Sequence, residues 1–481
     1  MSEIAPEIIV TITAFAVLIL DLFLPESKRQ WLAPLAILGT LIATVVLIVA
    51  PHHGSLLGGR FIQDAVSSWF KVIFLVTAAV AIVLSMNVLD GAVRVRVSGI
   101  GFRGEYYAIL LFSTIGAMFL VSATDLATLF VSLEAATLPL VVLAAWRRGD
   151  AASGEAGLKY VILSALASAS ILYGFGILYG LAASTDLATI STFVTANPSH
   201  ALWLAASLLI AGIGFKLTLV PFHMWAADVY QGAPTPVTAY LSVASKAAGL
   251  AFAFQVIYRI FGGWIGEWGP FIAGLALFTM TIGNLVAIVQ QNIKRFMAFS
   301  AISQAGYFLL GFLGPAPEGV PAMLFYLLVY VLSNLAAFAC IIWFANETGL
   351  EQIDDYRGLS QRNPVVALAM MLALFSLAGI PPLAGFVGKF FLFSIASQAG
   401  YHWLVAAAAV NSTLSLFYYL RVVRQMYIEP KPTLHPPLTV SRSLIVTIAL
   451  LSLAVSTLGI VPVVYHRIHE STIAWLALAL N

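Results

Sequence analysis

The sequence predicts an all-α, polytopic membrane protein with about fourteen transmembrane helices, and three observations carry that expectation. Of its 481 residues, 61% are hydrophobic and 9% charged, where a soluble domain has roughly 25% charged. Mean hydropathy is +0.98, which places the chain in the membrane class. Apolar runs recur along its whole length, each near the roughly 20 residues that cross a bilayer as a helix.

These spans fall near 6–24, 32–50, 66–89, 105–122, 125–146, 157–182, 201–220, 236–261, 270–290, 296–313, 320–345, 364–395, 402–428 and 442–465. The longest links, 90–104 and 346–363, are too short to fold as domains, so a single integral membrane domain over 1–481 is expected. The start, MSEIAPEIIV, has no basic segment ahead of its first apolar run, so no cleavable signal is expected.

Orientation follows from the basic residues. Links after odd-numbered spans carry Lys28 and Arg29; Arg94, Arg96 and Arg103; Arg147 and Arg148; Lys294 and Arg295; Arg357 and Arg362; and Arg421, Arg424, Lys431 and Arg442. The opposite links hold little beyond Arg60, Arg259 and Arg467. Positive-inside reasoning places the odd links in the cytoplasm and both termini outside.

Two spans read as broken. Pro221 interrupts GIGFKLTLVPFHMW and withdraws the hydrogen bond to the carbonyl of Leu217. Pro381 and Pro382 interrupt SLAGIPPLAGFVGKFFLF and free the carbonyls of Leu377 and Ala378. Such breaks survive at membrane depth only where protein or a water-filled cavity satisfies them. They fall five spans apart, which suggests two inverted five-helix repeats, spans 4–8 (about 105–261) and 9–13 (about 270–428). Spans 1–3 (about 1–90) precede them and a last span (about 442–465) follows.

Inside the apolar runs stand Glu134, Lys216, Lys246 and Lys389. A charge at the bilayer centre costs about 2.5–3.5 kcal/mol on insertion scales, so each marks a candidate functional site. Removal from water favours the neutral form of an ammonium, and a nearby carboxylate favours the charged one. A lysine so placed can take up a proton and release it when its neighbour's charge moves. Glu134, beside Pro139, is the natural partner of Lys216 and Lys246; a plain structural salt bridge is the alternative. Lys389 lies among small residues Gly385 and Gly388 and is the candidate last donor toward the outside. Lys159, near the cytoplasmic start of span six, is a further candidate, balanced against simple snorkelling. His223 and Asp228 follow the first break as possible path residues, and Lys71 reads as an edge residue of span three.

Other chemistry finds little support. The single cysteine, Cys340, cannot supply an iron–sulfur cluster or a Cys-type zinc site. Gly99, Gly101 and Gly104 spell GxGxxG, but without the strand and βαβ unit that give the pattern meaning. The eight histidines, among them His52, His53, His466 and His469, show no metal-ligand spacing. No P-loop or nucleophile–base constellation stands out.

Three segments carry a family resemblance. PFHMWAADVYQGAPTPVTAYLSVASKAAGLA (221–251) resembles the core of the antiporter-like subunits of NADH–quinone oxidoreductase, respiratory complex I. QNIKRFMAFSAISQAGY (291–307) and GIPPLAGFVGKFFLF (379–393) look like two further signatures of that family, and SVASKAAG and the length look most like its subunit N branch. By that resemblance Glu134, Lys216, Lys246, Lys389 and Lys159 match lysines and a glutamate of the family's proton relay. Gln304 stands where many relatives have a histidine. The resemblance implies proton translocation from cytoplasm to outside in a cell inner (plasma) membrane. It also implies partner subunits that hold NADH, flavin, iron–sulfur clusters and quinone, with neighbouring antiporter-like subunits, lipid and no nucleic acid around this chain. The chain would then be an enzyme subunit without its own redox centre. An Mrp-type cation/proton antiporter subunit, a solute carrier and a structural membrane subunit are the alternatives.

Overall fold

The structure is a computed structural model that describes residues 2–49, 54–89, 103–430, 438, 440–461 and 463–479. Arg94, Arg96, Lys431, His52, His53, Gly99 and Gly101 lie outside the described residues.

The first half of the chain holds α1 (Ala5–Phe23), α2 (Leu32–Val49), α3 (Ala65–Leu89), α4 (Arg103–Ser122), α5 (Leu126–Ala144) and α6 (Ala151–Ala182). The short α7 (Leu187–Ala196) is followed by α8 (His200–Leu217), α9 (Met224–Gly232) and α10 (Thr235–Phe254). Then come α11 (Ile265–Val289), α12 (Ile293–Leu309), α13 (Ala316–Thr348), the single turn α14 (Leu359–Arg362) and α15 (Pro364–Ala378). The chain continues with α16 (Ala384–Gln398), α17 (His402–Tyr427), α18 (Arg442–Ile460) and α19 (Val463–Ala479).

Thirteen helices among the described residues are long and apolar enough to cross a membrane. The expected twelfth span is instead the pair α15 and α16, of 15 residues each. A helix leaves its end groups unsatisfied, and polar side chains close many of them here. Asp125 accepts from the Ala127 and Thr128 amides at 3.0 Å, and Asn292 accepts from Lys294 and Arg295 at 3.0 and 3.2 Å. Asp150 caps α6, which starts at Ala151, six residues before the expected start of its span.

Three elements depart from the sequence reading. A small antiparallel hairpin, β1 (Gly54–Leu56) with β2 (Phe61–Gln63), lies in the link between spans two and three. Helix α7 was expected to be a link, but Asp186 caps it at Thr189, and Leu187, Ile190 and Val194 bury one face. Helix α19 continues past the last expected span and packs on α13.

Helices α10, α12 and α13 form the centre of the bundle and are buried almost throughout. Around them α4 lies along α5, α6 along α8 and α11 along α12. Small residues permit these approaches. At Gly116 of α4 an added Cβ would run into the backbone of Ala135 and Ala136 in α5, whereas at Gly176 of α6 it would meet open space.

Both breaks use the same cap. After α8, Thr218 takes a left-handed φ of 62°, and the Leu219 amide donates to the Gly214 carbonyl at 2.7 Å. After α15, Gly379 has φ 89°, and the Ile380 amide donates to the Phe375 carbonyl at 3.0 Å. Each is the six-to-one bond of a Schellman turn. The peptide bonds Val220–Pro221 and Pro381–Pro382 are cis.

Gly116→Val is expected to destabilise the protein by about 1–3 kcal/mol through overpacking, read as a lower melting temperature of the detergent-extracted protein. Gly176→Ala is the control, and it is expected to leave the melting temperature unchanged or raise it.

Candidate functional site: a row of buried lysines

The first pair forms where α8 ends against α5 and α6. Lys216 Nζ lies 3.8 Å from Glu134 Oε1, with the lysine side chain 4% exposed and the glutamate 21%. That is too long for a direct hydrogen bond. Hydroxyl groups fill the bonding instead. Lys216 donates to Thr137 Oγ1 at 2.9 Å and to Ser164 Oγ at 3.4 Å, while Ser168 donates to Glu134 Oε1 at 2.6 Å. Thr137 stands three residues after Glu134, and Ser164 and Ser168 stand four apart on α6, so helical spacing alone brings each set to one face.

Lys246 lies at the centre of α10, 1% exposed. It donates to Thr218 Oγ1 at 2.8 Å, and Thr218 in turn donates to the Leu217 carbonyl at 2.5 Å. The carbonyl that Pro221 was expected to free thus receives a hydroxyl from the broken segment itself. Ser245, next to Lys246, donates to the Lys216 carbonyl at 3.3 Å. Gly249, one turn later, lets the backbone of Lys216 approach α10. The two lysines are therefore joined through the first break.

Lys389 repeats this theme at the second break. Although it follows the break in sequence, its side chain reaches back, and Nζ donates to the Ala378 carbonyl at 3.0 Å and to Ser412 Oγ at 3.2 Å. The ammonium also lies 4.4 Å from the ring centre of Tyr307. A cavity of about 270 Å³ adjoins it, lined by Lys389, Gly379, Phe386, Phe390, Ser412 and Leu416 among others. The other freed carbonyl, Leu377, accepts from Gln304 Nε2 at 2.9 Å.

Gln304 also links to the centre. Tyr326 donates to its Oε1, and its Nε2 lies 3.3 Å from the Tyr419 hydroxyl, which meets Ser300 at 2.5 Å. One turn along α13 from Tyr326, Tyr330 donates to the Ser242 carbonyl at 3.0 Å, and Asn334 donates to Ser242 Oγ at 3.0 Å. Ser242 is one turn before Lys246 on α10. A polar row thus runs from Glu134 through Lys216 and Lys246 to Gln304 and Lys389.

Lys159 is not in that row. It stands at the end of the bundle where the basic links gather, paired with Asp228 at 2.6 Å and Glu155 at 2.7 Å. Asp228 also accepts from Arg295 at 2.7 Å, so one carboxylate ties α6, α9 and α12 together. Beside it Lys294 pairs with Glu351 at 2.9 Å. His223 directly precedes α9 and joins no ion pair among the described residues. The Asp228 carboxyl lies outside the expected spans. Partial burial pushes it up, but its bonds to Lys159 and Arg295 outweigh this and hold it below the usual carboxylate range.

Lys71 corrects the sequence reading. It is not an edge residue: it is fully buried and paired with Glu7 of α1 at 2.6 Å. Its position six residues into a span concealed this, because the meeting of Lys71 with Glu7, 64 residues earlier on another helix, is not legible from local pattern. The hydroxyl partners were also missed; only their four-residue spacing in apolar helices hints at them.

Residues 123–415 match the family described as NADH:quinone oxidoreductase/Mrp antiporter, TM. The chain belongs to this family. It is 42% identical over 462 residues to NADH-quinone oxidoreductase subunit N of Moorella thermoacetica, covering 95% of this chain and 94% of the relative. Among solved structures, it superposes on a chain of respiratory complex I from Thermus thermophilus with a TM-score of 0.78 and 32% identity, covering 95% of this chain and 97% of that one. A chain of the Mrp complex from a Dietzia species gives a TM-score of 0.86 at 22% identity, covering 100% and 99%, and shares the fold. The matched region holds both broken helices and Lys216, Lys246 and Lys389, while the buried Lys71 precedes it.

Asp228→Asn is expected to lower thermal stability by less than about 1 kcal/mol, since the pairs are partly exposed. A carboxyl held below its ordinary range stabilises above that range and loses its contribution as pH falls through the lowered one. The melting-temperature gap between wild type and variant should therefore close on acidification. A gap constant across pH would show that the charge does not matter.

Proposed function

We propose that this chain is the proton-translocating membrane subunit of an NADH–quinone oxidoreductase, of the subunit N type. It would sit in a cell membrane with its basic end in the cytoplasm and both termini outside. The observation that supports this best is the Glu134–Lys216 pair, held 3.8 Å apart with hydroxyl partners on both sides.

Such a pair suits a switch. At 4 Å and an effective dielectric of about 20, two charges attract by about 4 kcal/mol. That is of the same order as the roughly 2.3 kcal/mol needed to move one charge against 100 mV. Because Thr137 and Ser168 already bond the two groups, the pair can separate without leaving either buried charge unpartnered. While Glu134 is near, the proton stays on Lys216. When Glu134 turns away, the proton passes by Thr218 to Lys246.

Protons would enter at the basic end, where Lys159 and Asp228 face the surface, rest on Lys216 or Lys246, and leave by way of Lys389. The two breaks would be the corresponding features of two inverted five-helix repeats. Gln304 cannot titrate, so its tyrosine partners or water would carry the proton past it. The driving redox reaction, with NADH, flavin, iron–sulfur clusters and quinone, would belong to partner subunits. Neighbouring antiporter-like subunits would flank this chain within one membrane domain. In an Mrp-type antiporter the same fold would instead exchange a cation, and turnover would require sodium.

Lys246→Ala, assayed in membrane vesicles with the complex assembled, is expected to lose NADH-driven quinone reduction and proton uptake together. Normal turnover with a normal gradient would refute the role of Lys246 and favour a structural subunit.

A further inference from the structure

The proposed relay leaves one group of buried charges unused, at the end of the bundle opposite the basic links. Lys71 of α3 and Glu7 of α1 pair at 2.6 Å, with side chains 0% and 1% exposed. Lys71 also donates to Gln63 Oε1 at the end of β2. The next residue, Asp64, accepts from the Ser67 amide at 2.6 Å and from Arg259 Nη2 at 2.8 Å. Arg259 lies in a π-helical turn, Gln255–Ile260, that continues α10 beyond Lys246. In the same turn Gln255 Nε2 donates to the Leu120, Val121 and Ala123 carbonyls at 3.3, 2.8 and 3.1 Å. Its Oε1 is buried with no donor, as is Ser122 Oγ within that run of carbonyls.

Structure alone accounts poorly for this group. A buried ion pair seldom stabilises more than apolar residues of the same volume, because desolvation offsets the attraction. Both Glu7 oxygens lack any hydrogen-bond donor besides this pair, so Lys71 is the carboxylate's partner and lone pairs remain open. Buried polar atoms without partners call for a bridging water. π turns inside α-helices recur at functional sites. The two ion pairs are joined through the consecutive Gln63 and Asp64, and the π turn that carries Arg259 begins nine residues after Lys246 on the continuation of the same helix.

We propose that the Glu7–Lys71 pair, with Asp64–Arg259 and the π turn of α10, forms a second proton-release relay for the first half of the bundle, alongside the exit by Lys389. The inference rests on the proton-carrying reading of Lys246. A proton leaving Lys246 Nζ passes along water bridged by Gln255 Oε1 and Ser122 Oγ and protonates the Glu7 carboxylate. The N–H bond of Lys246 breaks, an O–H bond forms on Glu7, and the pair goes from net neutral to a single positive charge on Lys71. The O–H bond of Glu7 then breaks, its proton goes to water beside Arg259, whose side chain is 12% exposed, and the carboxylate pairs with Lys71 again. Asp64 is a positioning residue, since Arg259 and the Ser67 amide already occupy it.

The test uses the whole complex in membrane vesicles and reads protons moved per quinone reduced. The double variant Glu7→Leu with Lys71→Met removes the pair without stranding a charge, and the ratio is expected to fall. An unchanged ratio in the assembled complex overturns the relay and leaves a structural clamp. If that variant does not assemble, Ser122→Ala with Gln255→Met leaves both ion pairs intact and is expected to lower the ratio too; an unchanged ratio there overturns the proposal equally. Lys246→Ala run alongside separates the two readings. Lost pumping in Lys246→Ala with an unchanged ratio in the Glu7/Lys71 variant sinks only the release relay. Normal pumping in Lys246→Ala sinks the carrier role on which it depends.

Discussion

Hydrocarbon offers no hydrogen bonds, so every carbonyl freed by a broken helix and every buried ammonium must find a partner within the protein. In this chain the two needs are met by each other. Lys389 bonds the Ala378 carbonyl, Gln304 bonds the Leu377 carbonyl, and Thr218 joins the Leu217 carbonyl to Lys246. The prolines that break the helices thereby create the acceptors that hold the lysines. Either feature alone would carry an unmet polar group at membrane depth. The packing of α10, α12 and α13 at the centre of the bundle serves to bring these partners together.

The hydroxyl groups around the charges matter for a different reason. A direct, short ion pair in an apolar interior would be hard to open, since each half would be stranded. Thr137, Ser164 and Ser168 stand ready around Glu134 and Lys216. They lower the cost of separation while leaving the long-range attraction in place. The same economy appears at Lys389, where a hydroxyl, a carbonyl and the Tyr307 ring hold a charge that has no carboxylate partner among the described residues. Asp228 works on the opposite principle: one carboxylate between two cations fixes α6, α9 and α12 at the basic end, where water screens the pairs.

Membrane spans, basic-link alternation and both helix breaks were legible in the sequence because each is local. An apolar run of span length, a proline and a lysine mean much the same in any tertiary setting. Glu134, Lys216, Lys246 and Lys389 could be picked out for the same reason: a charge within an apolar run is conspicuous by itself. Lys71 failed that test although it is as deeply buried, because its place near a helix start allowed a harmless explanation. Lys159 passed it but belongs with Asp228 and Arg295, which stand 69 residues along from it and 67 beyond that.

By itself, then, the sequence determined that the protein is helical and membrane-spanning, where its helices break, and which charges are costly enough to need a role. Tertiary structure alone decided which of those charges meet. The order Glu134, Lys216, Lys246, Gln304, Lys389, the hydroxyls that separate them, and the Glu7–Lys71 pair all join residues far apart in sequence. Helix packing sets those distances, and it depends on the close approaches at Gly116, Gly249 and their like rather than on any local pattern.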